Sequence, residues 1–324
     1  MASKIFKNVY LTDYKTVVGP LERMSHLKKF DFYIDDYYFG MKTFEEAEVK
    51  MQRLVIDKLL QDNNLPLCMV DILIGGDLTN QIAITSGAAS VYPTSFLGVY
   101  SACATFAENL FLASLLVESG TLKKVVTTTS SHNLTAERQF RYPVEYGTPR
   151  PHTSTFTSTG AVACFVSKKP SHLKIESATL GNVVDLGVSD ANNLGAAMAP
   201  AAASTVVRHL TELKRDADYY DLILTGDLGS VGSLLLIDLL KTNHNINLKK
   251  HLDAGSELYL NSQNTYAGGS GPACLPIVLF NKILLNKKYK KILLVATGAL
   301  HSPTTVNQKK SIPAVAHAVS LEVV

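Results

Sequence analysis

The chain contains no tryptophan and only four cysteines among its 324 residues. The cysteines, at Cys68, Cys103, Cys164 and Cys274, lie far apart, with no CxxC pair and no histidine-rich neighbour. Zinc sites and the disulfide frameworks of small secreted domains both need clustered or regularly spaced cysteines, so neither is expected here. We expect reduced thiols, no bound metal and a cytoplasmic setting.

Targeting signals and long apolar runs are missing as well. The first residues, MASKIFKNVYLT, lack the apolar region of a secretory signal peptide. The most apolar segment, around 110–117, is far shorter than the roughly 20 residues that cross a bilayer. The sequence has no phosphate loop, dinucleotide fingerprint or metal-ligand cluster, so no cofactor is expected. We therefore expect a soluble protein, and any membrane association should be peripheral.

Neither sign of charge dominates, because the chain has 31 lysines and arginines and 28 aspartates and glutamates, for a net charge of +3. The one lysine-dense stretch, NKKYKK at 286–291, lies between an apparent helix and a strand, which predicts a solvated connection. Nucleic-acid binding would need a broader basic face, so we expect no nucleic-acid partner. The hydrophobic content of 46% predicts a substantial core.

The chain repeats part of its own sequence. Residues 71–78 read DILIGGDL and residues 221–228 read DLILTGDL. Each copy follows a helical pattern and precedes a small-residue turn into an apolar helix, and each half then carries a Lys-Lys pair before an apolar strand. Four matched elements in one order predict two related halves, 1–170 and 171–324. Alternating strands and helices predict largely parallel sheets covered on both faces, with function where the halves meet.

Individual elements follow from the apolar pattern. A helix is predicted from 44 to 60, with Thr43 as its N-cap. The segment GAAMAPAAAST is predicted as a loop that leads into a helix at 199–213, and 130–154 as a long polar stretch. Residues 1–40 have no clear period, although aromatic residues crowd into 30–40.

Cys103 has the setting that most suggests chemistry. A predicted strand ending at Tyr100 runs into Ser101, Ala102, Cys103 and Ala104 and then directly into a helix. Small neighbours permit a tight turn, and the helix N-terminus is expected to lower the pKa of the thiol. Such a position suits an acyl-carrying nucleophile. The alternative is a buried, small apolar side chain, which we predict for the other three cysteines.

A polar segment at 130–147 follows the strand predicted at 124–129. Loops that leave the carboxyl ends of parallel strands are where α/β proteins bind ligands, so His132 is a candidate for orienting one. Arg138 and Arg141 lie three residues apart, and on a helical turn both guanidinium groups can bind carboxylates bidentately. The alternatives are internal pairing of these arginines with Glu137 and Glu145, or a dimer contact.

Two further residues are weaker candidates. Asp227 follows a predicted strand at the interface of the two halves. His317 lies in the last apolar segment, where a core histidine with satisfied ring nitrogens is the simpler interpretation. His152 and His301 fall in polar loops and are assigned no role.

Two half-repeats with a cysteine elbow in the first resemble the thiolase and ketoacyl-synthase superfamily. The resemblance implies a thiolase-like, five-layered αβαβα fold, a pocket between the halves and a homodimer. Condensing enzymes of this kind place a histidine just after the strand that corresponds to 221–225, and an asparagine or histidine at the second elbow. Here those places hold Thr225-Gly226-Asp227 and Gly268-Gly269-Ser270. Nothing would activate an acyl carbonyl or stabilise an enolate, so we predict that the protein is not an enzyme.

The segment SSHNLTAERQFRYPVEYG at 130–147 resembles the signature of the stage V sporulation protein AD family. Segments that agree further include GDLTNQ at 76–81, VVDLGVSD at 183–190, AMAPAAA at 197–203 and SIPAVAHAV at 311–319. The N-terminal 40 residues match this family poorly, and Pro272 stands where the family tends to have a second cysteine.

This family resemblance implies binding of dipicolinic acid (pyridine-2,6-dicarboxylate), alone or as its calcium chelate. It also implies that the protein is the soluble component of the system that moves dipicolinate into the developing spore, and that it takes part in spore germination. The implied partners are membrane proteins of the stage V sporulation A operon, and the implied location is the cytoplasm of the sporulating cell, with peripheral association with the spore inner membrane.

The sequence thus predicts a ligand site with no catalytic residue. Its residues are Cys103, His132, Arg138, Arg141, Asp227 and His317. The alternative is an acyl-transfer or thioester-hydrolysing enzyme that uses Cys103, and a third hypothesis is a scaffold for the transport system whose pocket is vestigial.

Overall fold

The computed structural model describes residues 2–27, 29–66, 69–140 and 150–324. Cys68, Arg141 and Glu145, which entered the predictions above, lie outside these ranges.

Fourteen strands occur in the described residues. They are β1 (Ser3–Ile5), β2 (Tyr10–Val18), β3 (Phe32–Tyr33), β4 (Ile72–Gly76), β5 (Ser95–Gly98), β6 (Val125–Ser131), β7 (Phe156–Thr157), β8 (Gly160–Ser167), β9 (Leu173–Thr179), β10 (Leu222–Thr225), β11 (His251–Asp253), β12 (Gly269–Ser270), β13 (Lys291–Ala299) and β14 (Ala314–Val323).

Ten α-helices accompany the strands within the same ranges. They are α1 (Pro20–Arg23), α2 (Phe44–Asp62), α3 (Ala83–Ala89), α4 (Thr105–Glu118), α5 (Asn133–Phe140), α6 (Leu194–Leu213), α7 (Gly229–His244), α8 (Ala254–Leu258), α9 (Cys274–Val278) and α10 (Pro303–Asn307). A π-helical turn, Leu279–Ile283, continues α9. In the part of the chain described here, no helix is long and apolar enough to cross a membrane.

The strand order repeats in the two halves of the chain. The first set reads β5-β4-β6-β8-β2 and the second reads β11-β10-β13-β14-β9. In each set the first three strands are parallel and the last two are antiparallel to their neighbours. The sets join edge to edge through a short antiparallel pairing of β2 with β9, Tyr10 to Lys174 and Leu11 to Leu173. The internal repeat in the sequence therefore corresponds to a repeated sheet.

Helices form the other layers. Between the sets lies α4, which contacts β4, β6 and β8 of the first and β9, β13 and β14 of the second. The apolar side chains of α4 and α9 are buried in the largest core cluster, together with strand residues of both sets. Helix α2 packs on the outside of the first set, and α6 packs with α7 on the outside of the second. The result is the five-layered arrangement that was predicted.

Helix α2 forms where the apolar period placed it. Met51, Val55 and Leu59 recur every four residues and are buried on one face. Thr43 caps the helix, because its hydroxyl oxygen accepts a hydrogen bond from the Glu46 backbone N–H at 3.2 Å.

One local prediction was wrong. Helix α6 begins at Leu194, so the small-residue segment predicted as a loop is helical and contains Pro200. The alanines of this segment are buried and close-packed, and this tertiary packing outweighs the cost of an internal proline. The polar stretch from 130 contains α5, which supplies the helical turn considered for Arg138. Residues 1–40, for which no structure was predicted, supply β2, a central strand of the sheet.

Candidate functional site

The Cys103 elbow is fixed by backbone contacts. Ala102–Ala104 form one 3-10 turn immediately before α4, and Ala102 adopts a φ of 48°, in the left-handed region. The hydroxyl of Thr105 donates to the Ala102 carbonyl at 2.7 Å and accepts from the Ser101 N–H at 3.2 Å. Gly298 on β13 lies so close that a Cβ there would come within 2.1 Å of the Ser101 carbonyl oxygen. The elbow is therefore held by both sheet sets.

Cys103 opens onto a cavity of about 60 Å³. This volume holds only a few ordered water molecules. The lining comes from both halves of the chain: Leu78, Tyr100, Ala102, Cys103, Ala136, Glu137, Phe140, Thr155 and Thr157 from the first, and Ala191, Leu194, Met198, Ser270, Ala299 and His301 from the second. The wall is mostly apolar, with hydroxyl, thiol, carboxylate and imidazole groups at separate points.

Burial raises the pKa of the Cys103 thiol well above its ordinary value, and the nearby Asp227 carboxyl adds to the effect. The expectation that the helix N-terminus would lower this pKa was wrong. Desolvation penalises the charged thiolate more than the helix dipole favours it. Cys103 is half-buried, and its thiol is protonated at neutral pH.

Asp227 follows β10 in a left-handed conformation, with φ at 67°, and its side chain is fully buried. No N–H or O–H group of the described residues donates to either carboxylate oxygen, and the thiol of Cys274 is the side chain that hydrogen-bonds to this carboxyl. Burial, with a contribution from Asp253, raises the pKa of Asp227 well above its ordinary value. Burial therefore favours the uncharged form of this carboxyl, and the group lies close enough to Cys103 to raise the pKa of the thiol.

Asp253, by contrast, is fully engaged. It accepts hydrogen bonds from the hydroxyl of Thr225 at 2.8 Å and from the backbone N–H groups of Leu228, Gly229 and Ser256 at 2.8–3.2 Å. Burial raises the pKa of Asp253 to about 6. These bonds hold the turn after β10, and thereby the backbone that carries Asp227.

His132 lies at the end of β6 but does not line the Cys103 cavity. Its Nε2 is 2.9 Å from the carbonyl oxygen of Tyr37, and its Nδ1 accepts from the N–H of Leu134 at 3.2 Å. The ring stacks on Phe44 with centroids 5.5 Å apart. Burial lowers the pKa of His132 to about 4, so the ring is neutral and fastens α5 to the N-terminal segment.

Arg138 also lies outside the cavity. It faces an open surface groove of about 890 Å³ between α2, α3 and α5. Its Nη1 is 3.1 Å from each carboxylate oxygen of Glu45, and its guanidinium carbon is 5.4 Å from the Phe44 ring centroid. The internal pairing that was considered for this arginine is present, but its partner is Glu45 rather than Glu137.

His317 on β14 is a buried histidine with both ring nitrogens engaged. Nε2 lies 3.2 Å from the hydroxyl of Ser101, and Nδ1 accepts from the Gly181 N–H at 3.1 Å. Burial lowers the pKa of His317 to about 4. This residue supports the elbow from behind through Ser101 and does not line the cavity.

The cavity contains polar groups that the sequence analysis did not assign. Glu137 on the cavity wall forms an ion pair with Arg150. Nη1 of Arg150 is buried and has no hydrogen-bond partner among the described residues. His301 stacks on Phe140, with ring centroids 4.9 Å apart. The sequence contained one signal for His301: it follows the strand after the second Lys-Lys pair, much as His132 follows the strand after the first.

The paired strand sets, the buried helix α4 and the cysteine elbow define a thiolase-like protein. The chain is similar in structure to a variant of OleA from Xanthomonas campestris, with a TM-score of 0.62 and 14% identity over 98% of this chain and 99% of that one. It is likewise similar to 3-oxoacyl-[acyl-carrier-protein] synthase III from Aquifex aeolicus, with a TM-score of 0.56 and 17% identity over 99% of both chains.

Sequence comparison narrows this class to one family. The family model described as Stage V sporulation protein AD (SpoVAD) matches residues 2–322. The chain is 43% identical to Stage V sporulation protein AD of Bacillus subtilis (strain 168) over 318 residues, 97% of this chain and 94% of the relative. The chain belongs to the stage V sporulation protein AD family, and is thus a sporulation protein with a thiolase-like fold.

Proposed function

We propose that this protein binds dipicolinic acid without transforming it, as the component that delivers dipicolinate, alone or as its calcium chelate, into the developing spore. One observation carries the proposal. This member of a sporulation family has a thiolase-type cavity next to Cys103, but other residues stand in place of the histidine and amide with which a condensing enzyme performs acyl transfer. Asp227, whose pKa is raised by burial, and glycines at 268 and 269 stand where a condensing enzyme has its imidazole and amide. Cys103 keeps its place but carries a protonated thiol.

Two groups next to the lining residues suit a flat dianion. Arg150 is held at the cavity by Glu137, and its buried Nη1 has an unused donor. A ligand carboxylate can accept from Arg150 in the bidentate manner that guanidinium groups favour. Asp227 lies near Cys103 without lining the cavity, and its carboxyl, in the uncharged form that burial favours, can donate to a second ligand oxygen once the wall moves.

The size of the cavity sets a condition on this binding. A space of about 60 Å³ is too small for a ring with two carboxylates, so side chains of the wall must move for the ligand to enter. The stacked Phe140 and His301 are aromatic rings on opposite halves of the chain. Separation of these two rings would open the space between them for a pyridine ring.

Calorimetric titration with dipicolinate, with and without calcium, tests the proposal. We expect saturable binding of the diacid and none of picolinate, the mono-acid control. Arg150→Ala should weaken binding at least tenfold, since a charge-assisted hydrogen bond contributes about 1.5–3 kcal/mol. Arg138→Ala, which removes a guanidinium outside the cavity, is the matched control, and Arg141→Ala examines the remaining predicted arginine. Absence of saturation under every condition would overturn the proposal and favour the scaffold hypothesis.

An acyl-transfer or thioester-hydrolysing activity at Cys103 is the second candidate. It is favoured by the position of the thiol on the cavity wall and by the imidazole of His301 in the same cavity. Mass spectrometry after exposure to an acyl-CoA distinguishes the two candidates. An acyl increment on Cys103 that Cys103→Ala abolishes would support the enzyme, whereas an unmodified Cys103 together with saturable dipicolinate binding would exclude it.

We further propose that the protein is a homodimer that associates peripherally with the spore inner membrane through membrane proteins of the stage V sporulation A operon. The edge strand β5 supports the dimer. All four of its residues are exposed, including Phe96 and Leu97, and among the described residues it pairs only with β4. An exposed edge strand with apolar side chains is a template for pairing with a second chain.

A further inference from the structure

Lysines cluster at corresponding places in the two halves. The first cluster is Lys123, Lys124, Lys168 and Lys169, and the second is Lys249, Lys250, Lys287, Lys288, Lys290 and Lys291. All of them are exposed except Lys124 and Lys291, which are half-buried. We call these two sets together the lysine face.

The same device positions the lysine pair in each half. A carboxylate oxygen of Asp71 accepts hydrogen bonds from the backbone N–H groups of Lys123 and Lys124, at 2.7 and 2.9 Å. In the second half, Asp221 accepts from the backbone N–H groups of Lys290 and Lys291, at 2.8 and 2.9 Å. Both aspartates thus bind backbone rather than the ammonium groups, of which that of Lys124 lies near the Met69 sulfur and that of Lys291 lies 4.1 Å from the Tyr219 ring centroid.

Strand direction places both clusters on the side of the molecule away from the cavity. The pair at 123–124 lies at the start of β6, and the pair at 290–291 lies at the start of β13. Both strands run toward the cavity, because Ala136 after the end of β6 and Ala299 at the end of β13 line it. Lys250 precedes β11, which runs parallel to β10 and therefore to β13. Lys168 follows β8, which is antiparallel to β6, so the end of β8 lies beside the start of β6. Strands of 7 and 9 residues separate the lysines from the cavity by roughly 20–30 Å.

Carboxylates offset this charge only in part. Asp71 and Asp221 lie within the face, and the pKa of Asp221 is lowered by the backbone N–H groups of Lys291 and Lys290 and by the charges of Lys250 and Lys291. Within the described ranges, no lysine of the face forms an ion pair. Glu118 accepts hydrogen bonds from the backbone N–H groups of Lys7 and Asn8, and Glu322 lies opposite Lys291 in the register of β13 and β14. A chain with a net charge of only +3 therefore presents a concentrated positive field on one side.

Apolar side chains lie among the lysines. Met69 is 51% exposed and Leu285 is 42% exposed, and the ammonium group of Lys124 lies 3.8 Å from the sulfur of Met69. Leu65 and Leu122 line an open groove of about 430 Å³ whose rim carries the first cluster. A face that has exposed apolar groups between lysines can bind a partner surface that contains both negative charge and hydrocarbon.

We propose that the lysine face docks directly onto an anionic lipid bilayer, with the Cys103 cavity directed away from the membrane. Two separate clusters on one side match an extended negative surface, and each lysine near such a surface favours binding about fivefold. The proposal goes beyond peripheral association through partner proteins, because it assigns a lipid-binding surface to this chain. It holds whether or not dipicolinate is the ligand.

Co-sedimentation with vesicles tests the docking. We expect the protein to bind vesicles of phosphatidylcholine mixed with phosphatidylglycerol, not vesicles of phosphatidylcholine alone, and to be released at high salt, where the Debye length is short. Substituting Lys123, Lys124, Lys168 and Lys169 together with glutamine should weaken binding more than tenfold, and so should the corresponding change at Lys287, Lys288, Lys290 and Lys291.

The control removes charge from the other side of the molecule. Lys309 and Lys310 are exposed in the connection between β13 and β14, beyond the end of β13 that faces the cavity, and their change to glutamine should leave vesicle binding intact. Equal loss in this control, equal binding to neutral vesicles, or binding of duplex DNA without binding of vesicles would overturn the proposal. Dipicolinate titration of the same variants separates it from the ligand proposal, since lysines this far from the cavity should not affect that titration.

Discussion

Cys103 and Asp227 lie close enough to affect each other, and burial raises the pKa of both groups. Desolvation thus favours the thiol over the thiolate at Cys103 and the carboxylic acid over the carboxylate at Asp227. A protonated acid is a hydrogen-bond donor, which is the chemistry that a carboxylate ligand needs. The same protonation state makes Cys103 a poor nucleophile.

The thiol should therefore react slowly. We expect iodoacetamide to alkylate Cys103 at neutral pH at least tenfold more slowly than it alkylates free cysteine, because little thiolate is present. Peptide mass spectrometry over time measures the rate at this residue. Cys164 and Cys274, which are fully buried, serve as internal references and should react more slowly still. Alkylation of Cys103 faster than free cysteine would indicate an activated nucleophile and favour the acyl-transfer candidate.

Buried carboxyls should also make stability depend on pH. Burial raises the pKa of Glu22 to about 7 and that of Glu48 to about 8, far above the value near 4.3 in an unfolded chain. The folded state keeps these protons from about pH 4.3, where the unfolded chain loses them, up to the folded pKa values of about 7 and 8, so this contribution to stability falls as the pH rises through that range and is lost above it. Four buried histidines, with pKa values lowered to about 4 from an unfolded value of about 6.5, act in the opposite direction below about pH 6.5. The net fall in stability is therefore expected between about pH 6.5 and 8.

Glu48→Gln tests this account. The glutamine keeps an acceptor for the Ser130 hydroxyl, which lies 2.7 Å from Glu48, but has no proton to lose. We expect chemical denaturation at pH 8 and above to show the variant as more stable than the parent. The slope of unfolding free energy against pH should be smaller by up to about 1.4 kcal/mol per pH unit. Ser119→Ala, at an exposed position, is the control, and an unchanged slope in Glu48→Gln would contradict the assignment.

At the scale of the element, β13 approaches the elbow through a residue that must be small. Gly298→Ala would place a methyl group 2.1 Å from the Ser101 carbonyl oxygen, and backbone on both sides resists displacement. We expect a loss of about 3 kcal/mol in unfolding free energy, measured by denaturant titration, together with weaker ligand binding.

Gly87→Ala is the matched control for Gly298→Ala. Gly87 lies inside α3, where a Cβ would come only within 3.4 Å of a methyl group of Val49. Because alanine is favoured over glycine inside a helix, this change should stabilise the protein by about 0.5–1 kcal/mol. Equal destabilisation by both substitutions would show that close approach of the backbone at Gly298 is not the cause.

The cap of α2 offers a third local test. Thr43→Ala removes the side-chain acceptor of the Glu46 N–H and should cost about 1 kcal/mol of unfolding free energy. Thr43→Ser keeps a hydroxyl at the same position and should retain most of the stability. Equal melting temperatures for the alanine and serine variants would argue against a capping role.

Elements were predictable from sequence where a local pattern decides the structure. The apolar period and the cap of α2, and the short apolar runs of β4, β6, β10 and β13, needed no tertiary information. Helix α6 was missed at its start because its alanines gain stability only by packing against the second sheet set. Strand β2 was missed because its pairing partner, β8, lies some 150 residues away in the chain.

At the scale of the whole molecule, the internal repeat predicted the architecture, but the composition of the site was only partly predictable. Cys103 was found from its local turn, since the elbow is encoded by consecutive small residues. Arg150 and His301 were missed because their place at the cavity depends on how the two halves pack. Arg138 was assigned to a ligand because Glu45, its partner, lies far away in sequence.

The proposed dimer makes a prediction at this scale. Leu97→Lys places a charge on the edge strand β5, which should block pairing with a second chain. Sedimentation velocity is expected to show a dimer for the parent and a monomer for the variant. Leu234→Lys, at a residue that is 69% exposed on α7, is the control and should remain dimeric. A parent protein that sediments as a monomer at all concentrations would contradict the dimer.

The two strand sets impose an order on biosynthesis. The first set needs β2 and β8, so all of its strands have been synthesised once Ser167 has left the ribosome. In the second set, β14 lies between β13 and β9 and pairs with both, although β9 is more than 130 residues earlier in the chain. Until Ala314–Val323 has been made, β9 and β13 stand apart with their facing edges unpaired. We expect this late closure to be the slow step of folding, and the stage at which the nascent protein most needs a chaperone.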